Sequence, residues 1–131
     1  MPPRSLAGKV SCKVQVTRYI KCMSRSDFTD DVCPVARTVA RVGDVWSLMV
    51  LRDAFLGRTR FDEFRRSLGV APNILTDRLN RLVDAGLLER RRYSERPPRD
   101  EYLLTEMGRD FQPVVDAIKA FGERRLPREA L

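Results

Sequence analysis

The sequence predicts a mainly α-helical domain that carries one small β-hairpin. Three observations predict it. Apolar residues recur at helical spacing in five stretches between Pro34 and Gly122. Glycine or proline stands at the edges of most of these stretches, at Pro34, Gly43, Gly57, Gly69, Pro72 and Gly86. One further stretch, from Leu87 to Leu104, reads instead as strand, proline-stiffened loop and strand. A chain of 131 residues with 43% hydrophobic and 33% charged residues fits one domain with a real core plus a tail, and excludes wholesale disorder. No apolar run approaches the ~20 residues of a membrane span. Arg4 and Lys9 are not followed by an apolar block, so no secretory leader is expected and the expected location is the cytoplasm.

The chain begins unlike the rest. Three of the four lysines, Lys9, Lys13 and Lys21, fall in the first 22 residues. Lys13 to Lys21 alternate in a way that suits a short strand, with no partner nearby. Met23, followed by Ser24-Arg25-Ser26-Asp27, offers an internal start, and residues 1–22 are expected to be an added extension. Residues 1–30 are therefore expected to be a poorly ordered arm, 31–124 the domain and 125–131 a tail.

The first helix is expected over 34–42. Pro34 suits the first helical position, Val35, Val39 and Val42 share a face, and Gly43 is the stop. Asp44 can cap the second helix, 45–56, which is apolar nearly all round and so should be central and buried. Gly57 ends it. Phe61, Phe64 and Leu68 mark a short third helix, capped by Thr59 or Asp62 and ended by Gly69. Only Gly69-Val70-Ala71 separates it from Pro72, which opens a fourth helix over 72–85. Two short helices joined by a glycine-containing turn form a helix-turn-helix signature. Leu75, Leu79 and Leu82 form the inner stripe of the fourth helix. At 100° per residue, Asn73, Asp77, Asn80 and Asp84 lie opposite, with Thr76 and Arg81 on the flanks. Such a face suits base reading in a major groove, and equally suits plain solvation.

After Ala85-Gly86, Leu87 to Tyr93 form a strand, Ser94 to Arg99 a loop, and Asp100 to Leu104 the return strand. Between Glu89 and Arg99 there are five arginines against two glutamates, so the hairpin is basic. Thr105 can cap a last helix over about 106–124, with Pro113 bending it or sitting in its early turns. Phe111, Val114, Val115, Ile118 and Phe121 form one apolar stripe, which must be buried against its own core or a second subunit. A homodimer is favoured, because half-site recognition comes in pairs.

The charge balance fits that order of elements. Lysine and arginine total 25 against 18 acidic residues, a net charge of +7, which points to a polyanionic partner, most often nucleic acid. All but four of the basic residues are arginine, whose planar fork suits phosphate and guanine, although a GC-rich genome produces the same bias. The chain has no histidine, so it lacks the commonest general base and metal ligand. Cys12, Cys22 and Cys33 are too widely spaced for a zinc site, and no metal or cofactor is expected. There is no glycine-rich phosphate loop and no GxSxG, so an enzyme has little support. Helix, turn, helix and then a basic hairpin is the order of a winged helix-turn-helix, a combination more specific than any of its parts.

From Cys33 to about Gly122 the chain resembles the HxlR-type winged helix-turn-helix transcriptional regulators. The matching stretches are Cys33-Pro34-Val35, Gly43 to Leu48, Leu51-Arg52-Asp53, Arg60 to Phe64, Thr76 to Leu82 and Ala85-Gly86-Leu87. The most specific is the wing, Tyr93-Ser94-Glu95-Arg96-Pro97-Pro98-Arg99, followed by Glu101-Tyr102 and Leu104-Thr105. Val45 stands where the family often has a basic residue, and Asp100 where it often has an apolar one. The resemblance implies a cytoplasmic bacterial repressor or activator that acts as a homodimer through its terminal helices. It would bind a pseudo-palindromic double-stranded DNA operator. The 72–85 helix would enter the major groove, and the wing at about 89–104 would lie along the backbone or minor groove.

By role, Asn73, Thr76, Asn80 and Arg81 are the expected base or near-base contacts, and Arg91, Arg92, Arg96 and Arg99 the phosphate contacts. Asp77 either accepts from a cytosine amino group or orients Arg81 one turn on. Arg78, nearer the inner stripe, is expected in a structural ion pair. Phe111, Val114, Val115, Ile118 and Phe121 are the expected dimer interface. Some members of the family sense electrophiles or oxidants through a cysteine at the position of Cys33, which implies a small-molecule or electrophile effector. A helix N-terminus there favours the thiolate, Asp30 and Asp31 oppose it, and the other reading is a small buried hydrophobe. The competing function, from a different class, is a protein-interaction module that keeps the winged fold without specific DNA binding.

Overall fold

The computed structural model describes residues 28–129, which divide into two compact units at Asp44 and Val45. The expected extension over 1–22, its strand, Met23, Cys12 and Cys22 lie outside the described residues.

The first unit holds helix α1, Pro34–Val42, with Cys33 at its N-cap in an extended conformation. Cys33 donates its backbone N–H to Asp31 Oδ1 at 2.8 Å. Arg37 and Arg41, one turn apart on α1, donate to the carbonyls of Asp31 and Thr29 and fasten the lead-in segment to the helix. Gly43 ends the helix as expected, but not through a left-handed turn: its φ is −81°. Glycine is needed for space, because a Cβ there would lie 2.5 Å from the Val39 carbonyl oxygen.

The second unit runs α2 (Val45–Phe55), α3 (Phe61–Leu68), α4 (Pro72–Asp84), β1 (Leu88–Glu95), β2 (Pro98–Leu104), α5 (Glu106–Arg109) and α6 (Gln112–Arg125). Its core comes from Val50 and Leu51 of α2, Phe64 of α3, Leu75, Leu79 and Leu82 of α4, and Leu87, Leu88 and Phe111. The inner stripe of the fourth helix is therefore buried as its spacing predicts. The second helix is less uniformly apolar in its surroundings, since Ser47 and Asp53 on it are also fully buried. Asp53 Oδ1 accepts from Arg52 Nε and Nη2 at 2.9 and 2.7 Å, with Arg58 Nη1 3.8 Å away.

Neither Thr59 nor Asp62 caps α3. The Glu63 carboxylate takes that role, accepting the backbone N–H groups of Thr59 and Arg60 at 2.9 and 3.0 Å. Gly69 closes α3 at φ +65°, a left-handed conformation that lets α4 start two residues after Val70. The sequence also gives no strand at Thr59–Arg60, yet Tyr102 donates its N–H to the Thr59 carbonyl at 2.7 Å and Arg60 bridges Glu101 antiparallel. The hairpin thus gains a third edge.

β1 and β2 pair antiparallel with Leu88 opposite Leu104, Arg90 opposite Tyr102 and Arg92 opposite Asp100. The strands run further than the expected six-residue loop allows, because cross-strand pairs continue the ladder to Glu95 and Pro98. The tip is Arg96-Pro97.

The single last helix expected over 106–124 is two helices. Proline lacks an N–H, and its ring clashes with the carbonyl four residues back, which kinks or breaks a helix that meets it, and at Pro113 the helix breaks. The chain makes one short turn, α5, capped by Thr105 Oγ accepting from Gly108 N at 3.0 Å. It then buries Phe111 and restarts with Pro113 in the first turn of α6.

Candidate nucleic-acid interface

The polar face predicted for the fourth helix is on the surface of α4. Asn73, Thr76 and Arg81 are exposed, and Asp77 and Asn80 partly so. The inner leucine stripe dictates this, since it commits the opposite side to solvent. Asp77 Oδ2 takes Arg81 Nε at 2.9 Å and Arg78 Nη1 at 2.5 Å. Of the two roles expected for Asp77, the free structure holds the one that orients Arg81. Arg78 is in an ion pair, as its place near the inner stripe suggests.

The wing arginines differ from one another. Arg91 reaches Glu101 at 3.4 Å across the hairpin. Arg92 is bound to Asp100 at 2.7 Å and lies 3.5 Å from Glu95. The hydrogen bond to Asp100, with that carboxylate's charge, raises the Arg92 pKa above the ordinary arginine value. Strand alternation and the register place Arg90 and Arg92 on one face of the hairpin and Arg91 on the other. At the tip, Arg96 and Arg99 are exposed and make no ion pair or side-chain hydrogen bond among the described residues. Free guanidinium groups keep their full donor set for an incoming anion.

Two residues that sequence reasoning missed join these parts. Arg90 donates through Nη2 to Asn80 Oδ1, tying the wing to α4, and its guanidinium lies 5.7 Å from the centre of the Tyr102 ring. Arg60 stacks 4.3 Å over the Tyr93 ring. The signal for Arg90 was available in strand alternation, since it shares a face with Arg92. No sequence pattern indicated Arg60, whose place depends on the third edge of the sheet. Between α3 and the wing lies a cleft of about 400 Å³ lined by Arg60, Arg66, Tyr93, Arg99, Asp100 and Tyr102.

The apolar stripe near the chain end divides. Phe111 is buried in its own unit and Val115 partly so, while Val114, Ile118 and Phe121 are 42%, 51% and 51% exposed. Among the described residues no three metal-ligating side chains cluster. No helix among them is long and apolar enough to cross a membrane.

A family model described as HxlR-like helix-turn-helix matches residues 41–130. The chain belongs to this family. An uncharacterised HTH-type transcriptional regulator of Mycobacterium tuberculosis, Rv3095, is 43% identical over 94 residues, which are 72% of this chain and 60% of that protein. The chain thus matches less than two thirds of that relative's length. The crystal structure of PA1607, a candidate transcription factor, superposes with a TM-score of 0.73 at 42% identity, covering 80% of this chain and 75% of the other. The redox regulator HypR in its reduced form gives a TM-score of 0.67 at 35% identity, covering 70% and 92%. In this HxlR-like chain, α3 and α4 are the helix-turn-helix and β1–β2 is the wing. The family is one of regulators and not of enzymes.

Proposed function

We propose that this HxlR-like domain is a sequence-specific DNA-binding regulator of transcription. The observation that carries the reading is one continuous surface. The polar face of α4 and the arginine-rich wing are joined by the hydrogen bond from Arg90 to Asn80, so both meet the same partner. The helix supplies Asn73, Thr76 and Arg81 to base edges in a major groove. The tip supplies Arg96 and Arg99 to phosphates, and Arg91 and Arg92 reach phosphate with the donors that Glu101 and Asp100 do not hold. Asp77 holds Arg81 in place.

The active species is a homodimer on a pseudo-palindromic operator. Its support is the exposed row of Val114, Ile118 and Phe121 on α6, too apolar to leave in water, with Val115 and Phe111 backing it. Such a regulator works beside the genome, in the cytoplasm. Cys33 is the candidate sensor of an oxidant or electrophile. It stands partly exposed at the N-cap position of α1, where the helix dipole favours a thiolate, and the similar HypR is described as a redox regulator.

Charge reversal of Arg96 and Arg99 tests the DNA reading. Each arginine withdrawn from a phosphate should lower the slope of log K against log salt by about 1. A variant that keeps both affinity and slope would move the chain to the protein-interaction reading. Replacing Cys33 with Ser should abolish any response of DNA binding to diamide or quinone, and an unchanged response would remove the sensor role.

A further inference from the structure

β1 carries three arginines in a row, Arg90, Arg91 and Arg92, and their surroundings differ. Arg91 and Arg92 pair with Glu101 and Asp100, whose charges offset theirs. Arg90 has two neutral partners instead. It donates to the Asn80 carbonyl oxygen, and its guanidinium lies 5.7 Å from the centre of the Tyr102 ring. No carboxylate pairs with it among the described residues. It is exposed, so its charge is left for an anion from outside. One N–H goes to Asn80, the ring face attracts the charge, and the other donors remain available. The bond to Asn80, on the polar side of α4, sets that charge at the seam between α4 and the wing.

A duplex that takes α4 in its major groove, with the wing on the backbone or minor groove beside it, has one sugar-phosphate strand between the two. That strand crosses the seam where Arg90 stands. We infer that Arg90 is a phosphate contact on this strand, held in place by Asn80 and Tyr102. The inference rests on the DNA-binding reading above, and adds a contact that belongs neither to the base-reading face nor to the wing tip. Two neutral partners suit the role, because they fix a guanidinium without cancelling its charge. Tyr102 stands directly across the hairpin from Arg90, so the placement follows from the register of the wing. A phosphate is the same at every base pair, so this contact adds affinity and fixes the register of the domain on the duplex without choosing a base.

The test compares the full chain with Arg90→Met, which removes the charge, and Arg90→Lys, which keeps it, each first checked for native circular dichroism. DNA affinity is measured against salt, and the preferred motif by selection from randomised double-stranded DNA. Arg90→Met should weaken binding to all sequences alike, lower the slope of log K against log salt by about 1, and select the native motif. Arg90→Lys should keep the native slope. Neutral methylphosphonate placed at single positions of the selected site locates the contact. One position on the strand between the two grooves should weaken the native chain and leave Arg90→Met unaffected. A native slope in Arg90→Met would make Arg90 only a link between α4 and the wing, and the inference would fail while the DNA reading stands. A changed base preference at one position in Arg90→Met would make it a base contact, and overturns the inference too. If the native chain binds no DNA, the DNA-binding reading falls, and this inference with it.

Discussion

Glu63 stands at the start of the helix-turn-helix and takes two backbone N–H groups, those of Thr59 and Arg60. These bonds favour the ionised carboxylate and hold its pKa below the usual 4.5. A lowered folded-state pKa gives stability that is present above the unfolded value and lost as pH falls through the folded one. Glu63→Gln should therefore melt below the native chain at neutral pH, and the difference should shrink in acid. Melting curves that stay parallel down to about pH 3 would contradict this. Phe64 makes the stronger demand on its surroundings, being fully buried. Phe64→Ala should cost about 3–5 kcal/mol in urea denaturation, with a loss below about 1 kcal/mol counting against its place in the core.

At the scale of elements, α5 is the joint that orients the end of the wing against α6. Gly108 packs so closely that an added Cβ would lie 2.1 Å from the Leu87 carbonyl oxygen, whereas at Gly122 it would meet nothing. Gly108→Ala should destabilise by roughly 1–3 kcal/mol, and Gly122→Ala should stabilise by about 0.5–1 kcal/mol. Thermal or urea unfolding of the two variants checks the opposite signs. This joint was also where the sequence was hardest to read. The apolar stripe from Phe111 to Phe121 keeps helical spacing on both sides of Pro113, so periodicity alone merges the two helices, and only the chemistry of the proline separates them. Leu75, Leu79 and Leu82 were legible because one stripe commits a whole helix to one face. Arg96 and Arg99 were legible as a basic tip. The pairing of Arg81 with Asp77 was legible from their helical spacing, whereas the partnering of Arg91 and Arg92 with carboxylates was not, because cross-strand pairs depend on register. The third edge at Thr59–Arg60 was invisible, since two residues carry no period.

At the scale of the whole molecule, regulation would need a helix that reads bases, a wing that grips phosphates and a helix that pairs two copies. The pairing helix is testable by itself. Ile118→Arg or Phe121→Glu should turn a dimer into a folded monomer by sedimentation, because both side chains are half-exposed and outside the core. An unchanged dimer would place the interface elsewhere. The most direct test of sequence-specific DNA binding is selection of fragmented host genomic DNA by the full chain, near physiological salt and with competitor DNA. A dimeric regulator should recover a pseudo-palindrome whose half-sites lie about one helical turn apart, roughly 10 base pairs. Recovery of no motif, with binding that vanishes as salt rises, would contradict it and leave only non-specific attraction between an arginine-rich surface and a polyanion.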